Sequence, residues 1–338
     1  MLNRRLWIMF AAVLCGLACS ASVQGQNLLK HQMHPLLQSQ LRFLQFRVVM
    51  GRIEVTTDDP IRNFGTSSKQ GETTERLSIE FGTDTLSLDY TLSMPQGDFS
   101  VRVVDSREVI VRKNPAPGQK QLPVLFVQPR EGLMQLIVGS GETAREVRAH
   151  SLWQIMLAEP EICRTELTPL LQLLRPTWKL IDTFAELETS LVTWNAPSST
   201  ISGEAIQALV TDLGGETFAE REMAERQLTA VGSQVVTWLR RLDLANLDAE
   251  QRFRIRRIMD DFGDAQTEDT SNFAVRWLAV DPQTWALLLN RDDVKLRQLA
   301  LDKLTKLVNR PIQFDPTADD TTRHKQWAEV LKQVENAK

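Results

Sequence analysis

Few residues in this chain could do chemistry, and their spacing narrows what that chemistry could be. The 338 residues include four His, three Cys and one Tyr. His31-Gln32-Met33-His34 sets two imidazoles three apart, which on one helical face could hold a metal weakly. A tight site needs three or four ligands and no acidic residue lies nearby, so both are read as surface histidines. His150 and His324 stand alone. Gly139-Ser140-Gly141 is not a nucleophile elbow, because Val138 stands where Gly-x-Ser-x-Gly requires its first Gly. It reads as a turn after a strand. Neither a Gly-Lys-Ser/Thr phosphate loop nor Gly-x-Gly-x-x-Gly is present.

The acidic pairs Asp58-Asp59, Asp260-Asp261, Asp292-Asp293 and Asp319-Asp320 lack the alternating oxygen ligands of a calcium loop. Helix capping and dipole complementarity explain them more simply. Arg252-Phe253-Arg254-Ile255-Arg256-Arg257 could bind an anion. With Asp260, Asp261 and Asp264 close by, it reads instead as a helix whose Phe253 and Ile255 contribute to packing while its Arg stems cover apolar surface. The expectation is therefore no catalytic residue, no cofactor-binding residue, no metal ligand and no enzymatic activity.

The elements that would position such groups begin after an address. Arg4-Arg5, an apolar run from Leu6 to Ala18, and the small polar stretch Cys19 to Gln26 match a secretory signal peptide over 1–25. The run is shorter than the ~20 residues of a transmembrane span. Cys19 offers lipid anchoring as another option, although Gly16 and Leu17 sit one place off the lipoprotein register. The expected location is periplasmic or extracellular. Processing would leave Cys163 alone, unable to form an internal disulfide, and it reads as a buried, inert thiol.

Charge and period then split the remainder. The whole chain carries 39 Lys+Arg and 43 Asp+Glu, a net charge of −4, which excludes the basic stripe of a nucleic-acid binder. Residues 27–150 carry +1 and 151–338 carry −7, with every Trp beyond Trp7 in the second part. Over 27–147, Leu77-Ser78-Ile79-Glu80-Phe81, Leu86 to Leu92 and Phe99 to Val103 alternate apolar with polar. With 42–49 leading into 52–55, and with 108–112, 124–127 and 133–138, they give about seven strands of an antiparallel sheet or sandwich. From Ala144 the period turns helical. Connecting helices over 148–199 are expected to pack on the sheet, and Asn195 to Thr200 reads as a linker. All seven later Trp fall at helical apolar positions and read as core.

Over 200–338 the helices are short, paired and clearly punctuated. Glu216 to Leu228 and Asp293 to Leu304 each follow an acidic or Phe-containing opening with an Arg, a small Ala and a Leu three or four apart. Leu247 to Ile258 is similar without the Ala, and the tail Asn309 to Pro316 with Trp327 resembles the ending of such arrays. These segments resemble the second helices of HEAT-like repeats in exported bacterial proteins. The resemblance implies an α-solenoid with a broad binding face. The fold class expected is α+β: the antiparallel β domain, then an all-α HEAT-like domain. The function expected is a non-enzymatic scaffold that binds another protein, with no nucleic acid and no membrane span in the mature chain. The alternative is a periplasmic carrier of a lipid or small ligand, using a curved sheet.

Overall fold

The computed structural model describes residues 43–57, 63–82, 85–194, 203–264 and 268–335. The signal-like leader with Cys19, the pair His31 and His34, Asp58-Asp59 and the linker 195–200 lie outside the described residues.

Ten strands form in two groups. The hairpin β1 (Leu44–Val49) and β2 (Arg52–Thr57) stands apart. The other eight form one antiparallel meander: β3 (Phe64–Gln70), β4 (Thr73–Phe81), β5 (Leu86–Met94), β6 (Gly97–Val104), β7 (Glu108–Pro115), β8 (Val124–Gln128), β9 (Met134–Val138) and β10 (Arg145–Ala149). The period of two does what it predicts. Pairing sets Leu77 against Tyr90, Tyr90 against Val101, then Val111, Phe126, Leu136 and Val147 in turn, one row across seven strands. The first six of these side chains are buried and Val147 half-buried.

The sequence expectation omits two strands, and they are the two edges. β3 is mostly polar, and β10 sits where a helical period is expected from Ala144. Edge strands pair on one side and bury little, so neither shows clean alternation. The eight strands of the meander form one open sheet, with β3 and β10 at opposite edges and not paired to each other. The face that a carrier would need as a cavity wall is filled by its own side chains. Leu77, Leu88, Tyr90, Phe99 and Phe126 are at most 2% exposed. The curling needed for the carrier alternative is absent.

The helical region starts at α1 (Leu152–Ala158), capped by the Ser151 hydroxyl accepting from Gln154 N–H at 3.2 Å and buried along its whole length. A one-turn helix (Pro160–Ile162) and a π-helical turn (Cys163–Leu167) lead to α2 (Thr168–Leu174) and then α3 (Leu180–Thr193). There follow α4 (Gly203–Asp212), α5 (Phe218–Val231), α6 (Gln234–Leu239), α7 (Ala249–Asp264), α8 (Ser271–Leu278), α9 (Pro282–Leu288), α10 (Val294–Val308) and α11 (Asp320–Glu335). α8, absent from the sequence reading, packs on α3 and α6. One continuous apolar core runs from the sheet into these helices.

Two helix starts, α5 and α10, repeat one set of bonds. Thr217 and Asp293 are the N-caps. Four residues on, Arg221 donates to the carbonyls of Gly215 and Glu216, and Arg297 donates to those of Arg291 and Asp292. Ala224 and Leu228 are buried beneath the first, Ala300 and Leu304 beneath the second. In each case the Arg ties the new helix to carbonyls left over from the preceding turn, which is why an Arg stands at that place in the pattern. Arg297, 3% exposed, also donates to Pro316 O at 2.6 Å. Arg297→Met should therefore cost about 2–3 kcal/mol in thermal or urea unfolding, through three part-buried carbonyls losing a charged donor.

Candidate functional site

The groups singled out by sequence are scattered. The Cys163 thiol is buried, its pKa is raised by burial, and it lies 3.7 Å from Ile155 O. His150 is half-buried, and burial together with Arg241, Arg240 and Arg52 lowers its pKa to about 3, so it is neutral. His324 is exposed on α11, its Nδ1 2.7 Å from Asp320 O. Gly139-Ser140-Gly141 forms a turn with both glycines at positive φ. Asp293 and Asp319 cap helices, while Asp260 and Asp292 meet Arg107 and Arg323. In the arginine run, Arg254 and Arg257 share Glu225, and Arg256 meets Glu131 at 2.7 Å. Trp153, Trp178, Trp277 and Trp285 are core; Trp194, Trp238 and Trp327 are half-buried. Among the described residues, no three of His, Cys, Asp and Glu converge as a metal ligand set. No helix among them is long and apolar enough to cross a membrane.

What the fold does bring together is a joint between hairpin and helices. Met50 and Gly51 turn the hairpin with φ of 50° and 75°, the left-handed pair of a tight two-residue turn. Their N–H groups point at Asp269, donating to Oδ1 at 2.9 Å and Oδ2 at 2.6 Å. Trp153 Nε1 donates to Oδ2 at 2.8 Å. Asp269 N–H donates to Val48 O at 2.7 Å, and Leu152 N–H donates to Gly51 O at 2.8 Å. The neighbours of Asp269 are fixed as well. Arg175 donates to both oxygens of Glu268, Trp178 Nε1 donates to one, and Thr270 caps α8. Burial raises the Asp269 pKa to about 6 against the lowering effect of its three donors. Two residues past the turn, the Gln128 amide exchanges bonds with Ile53 N–H and C=O and reaches Arg107 O.

Beside this joint lies a cleft of about 380 Å³ between the hairpin, the sheet loops and helices α6 and α7. Its floor is apolar, with Ile53, Leu239 and Ile255 buried. Its rim is charged. Arg107 meets Glu54 at 3.2 Å and also Asp260, Arg256 meets Glu131, and Arg130 lies 3.7 Å from Asp105. Arg52 donates to the carbonyls of Pro129 and Gly132, and burial lowers its pKa to about 9. Arg240 stacks on Trp277, 5.6 Å from the ring centroid, and its Nε is buried with no partner. Burial lowers its pKa to about 10, against the raising pull of Asp269, Asp281 and Glu54, so it stays charged at neutral pH.

A second feature is on the helical surface. Phe218 opens α5 at 63% exposed and Phe253 on α7 is 58% exposed. Both flank the Glu225 network: Phe218 stacks on Arg254 at 5.6 Å and Phe253 on Arg257 at 5.9 Å. Sequence reasoning places Phe253 in packing, and the structure corrects that. Ile255 and Ile258 are buried instead, because they lie on the opposite side of the helix. Comparison with known proteins found nothing to set beside this arrangement: no family model matches the chain, and neither a curated protein nor a solved structure does.

Proposed function

We propose that this is an exported, non-enzymatic protein that binds another protein through its C-terminal helical region, built on HEAT-like repeats. The observation that carries the reading is the exposed aromatic pair Phe218 and Phe253. Large aromatics on a helical surface over a fixed ion network resemble the anchors of protein interfaces more than ordinary surface. The matching Arg221 and Arg297 bonds support repetition, since they give two distant helix starts one local design. The −7 charge of 151–338 argues for a protein partner over nucleic acid.

The test places a photo-crosslinking residue at 253 of the full chain, in the cells that export it, and another at 122 as control. Leu122 is also exposed, on the β side. One defined protein adduct is expected from position 253, weakened at least tenfold by Phe218→Glu at unchanged thermal stability. Equal adducts from 253 and 122, or an adduct indifferent to Phe218→Glu, would overturn the reading.

A further inference from the structure

We propose that the cleft beside the hairpin binds a monocarboxylate with an apolar body, gripped by the Arg240 guanidinium. Four of the five arginines in the cleft are already engaged. Arg107, Arg130 and Arg256 face carboxylates, and Arg52 faces backbone carbonyls. Arg240 alone of the five has neither a hydrogen-bond acceptor nor a carboxylate within ion-pair distance among the described residues. Asp269, Asp281 and Glu54 act on it through space, but Glu54 meets Arg107 and the oxygens of the other two are taken. Asp269 accepts from Met50, Gly51 and Trp153; Asp281 accepts from Arg241, Gln154 and Gln283 N–H. Its Nε–H is buried without an acceptor, so this half-buried guanidinium gains from an acceptor entering the cleft.

The lining selects the acceptor. A guanidinium fork matches the two oxygens of a carboxylate. The walls set five Arg against the four acids Glu54, Glu131, Asp243 and Asp260, an excess of one positive charge, which a monoanion matches and a doubly charged phosphate exceeds. The apolar floor, with Leu242, Leu244 and Met259 half-buried around it, suits a compact hydrocarbon or aromatic body. A volume of about 380 Å³ is at the small end of ligand sites, which run ~300–1,000 Å³. Two sources share this chemistry: a free small acid and the terminal carboxylate of a peptide.

The test is calorimetry on the full chain with 3-phenylpropionate, 3-phenylpropanamide, and a peptide ending in Leu-Phe as free acid or amide. At least one acid should bind at least tenfold more tightly than its amide. Arg240→Gln should remove that preference. Met259→Trp, which fills the cleft and leaves Arg240 in place, should weaken binding at least tenfold and keeps the test decisive if the Arg240 variant misfolds. A tighter peptide acid assigns a chain terminus, and a tighter phenylpropionate assigns a free acid. No acid binding, equal binding of acid and amide, or unchanged binding to Met259→Trp would overturn the proposal.

Discussion

Replacing Asp269 by alanine is expected to destabilise the protein by about 3–4 kcal/mol at neutral pH, measured by chemical unfolding. The side chain is 5% exposed and accepts from Met50 N–H, Gly51 N–H and Trp153 Nε1. Alanine leaves three buried donors without an acceptor, each worth about 1–3 kcal/mol and not fully additive. The same residue gives a pH signature. Its folded pKa, about 6, is raised above the ordinary 3.8, so the fold favours the protonated form. Its contribution is greatest below pH 3.8 and declines as pH rises through 6. The stability gap between wild type and the Asp269→Ala variant should thus be larger at pH 4.5 than at pH 7.5, by about 2 kcal/mol. Using the gap cancels the carboxylates that the fold favours ionised, such as Glu146 and Asp319, which push the other way.

Gly51→Ala is the second large effect, about 3 kcal/mol or more. A Cβ there would sit 2.5 Å from Ser151 Cβ and 2.8 Å from the Trp277 ring, at φ +75°. The left-handed backbone alone costs about 1–2 kcal/mol for alanine, and overpacking a rigid contact adds about 1–3 kcal/mol. Gly71, at φ +60° with no atom within 4 Å of where a methyl would stand, supplies the control. Gly71→Ala should cost only the backbone part, about 1 kcal/mol. Equal losses at the two glycines would mean that the hairpin tip is not inserted among the helices.

The parts of this architecture that are legible in the sequence are those whose burial has a period. Strands β4 to β9 show it because one face is buried, and α3, α5, α7 and α10 because one stripe is. Edge strands β3 and β10 bury too little to show it. Arg221 and Arg297 are readable through their places in a repeated pattern, since they bond carbonyls only five and six residues back. The joint and the cleft are not readable. Asp269 meets Met50 across 219 residues, and the cleft draws Arg52, Arg107, Arg130 and Arg240 from four separate segments. Nothing in the spacing of an isolated Asp or Arg announces such a partner. Phe253 misleads because an apolar residue in an amphipathic helix is expected on its buried stripe, whereas the helical angle puts it outside.

Beside the apolar core that sheet and helices share, the hairpin is locked to the helices because its tip is keyed into Asp269. Native-state hydrogen exchange of the Met50 and Gly51 amides tests this most directly. An exposed two-residue turn would exchange its amides rapidly, through local fraying. Here both amides are expected to be as protected as those of the central strands β6 and β7, and to lose that protection in the Asp269→Ala variant. Rapid exchange of Met50 and Gly51 in the wild-type chain, with β6 and β7 still protected, would contradict the account.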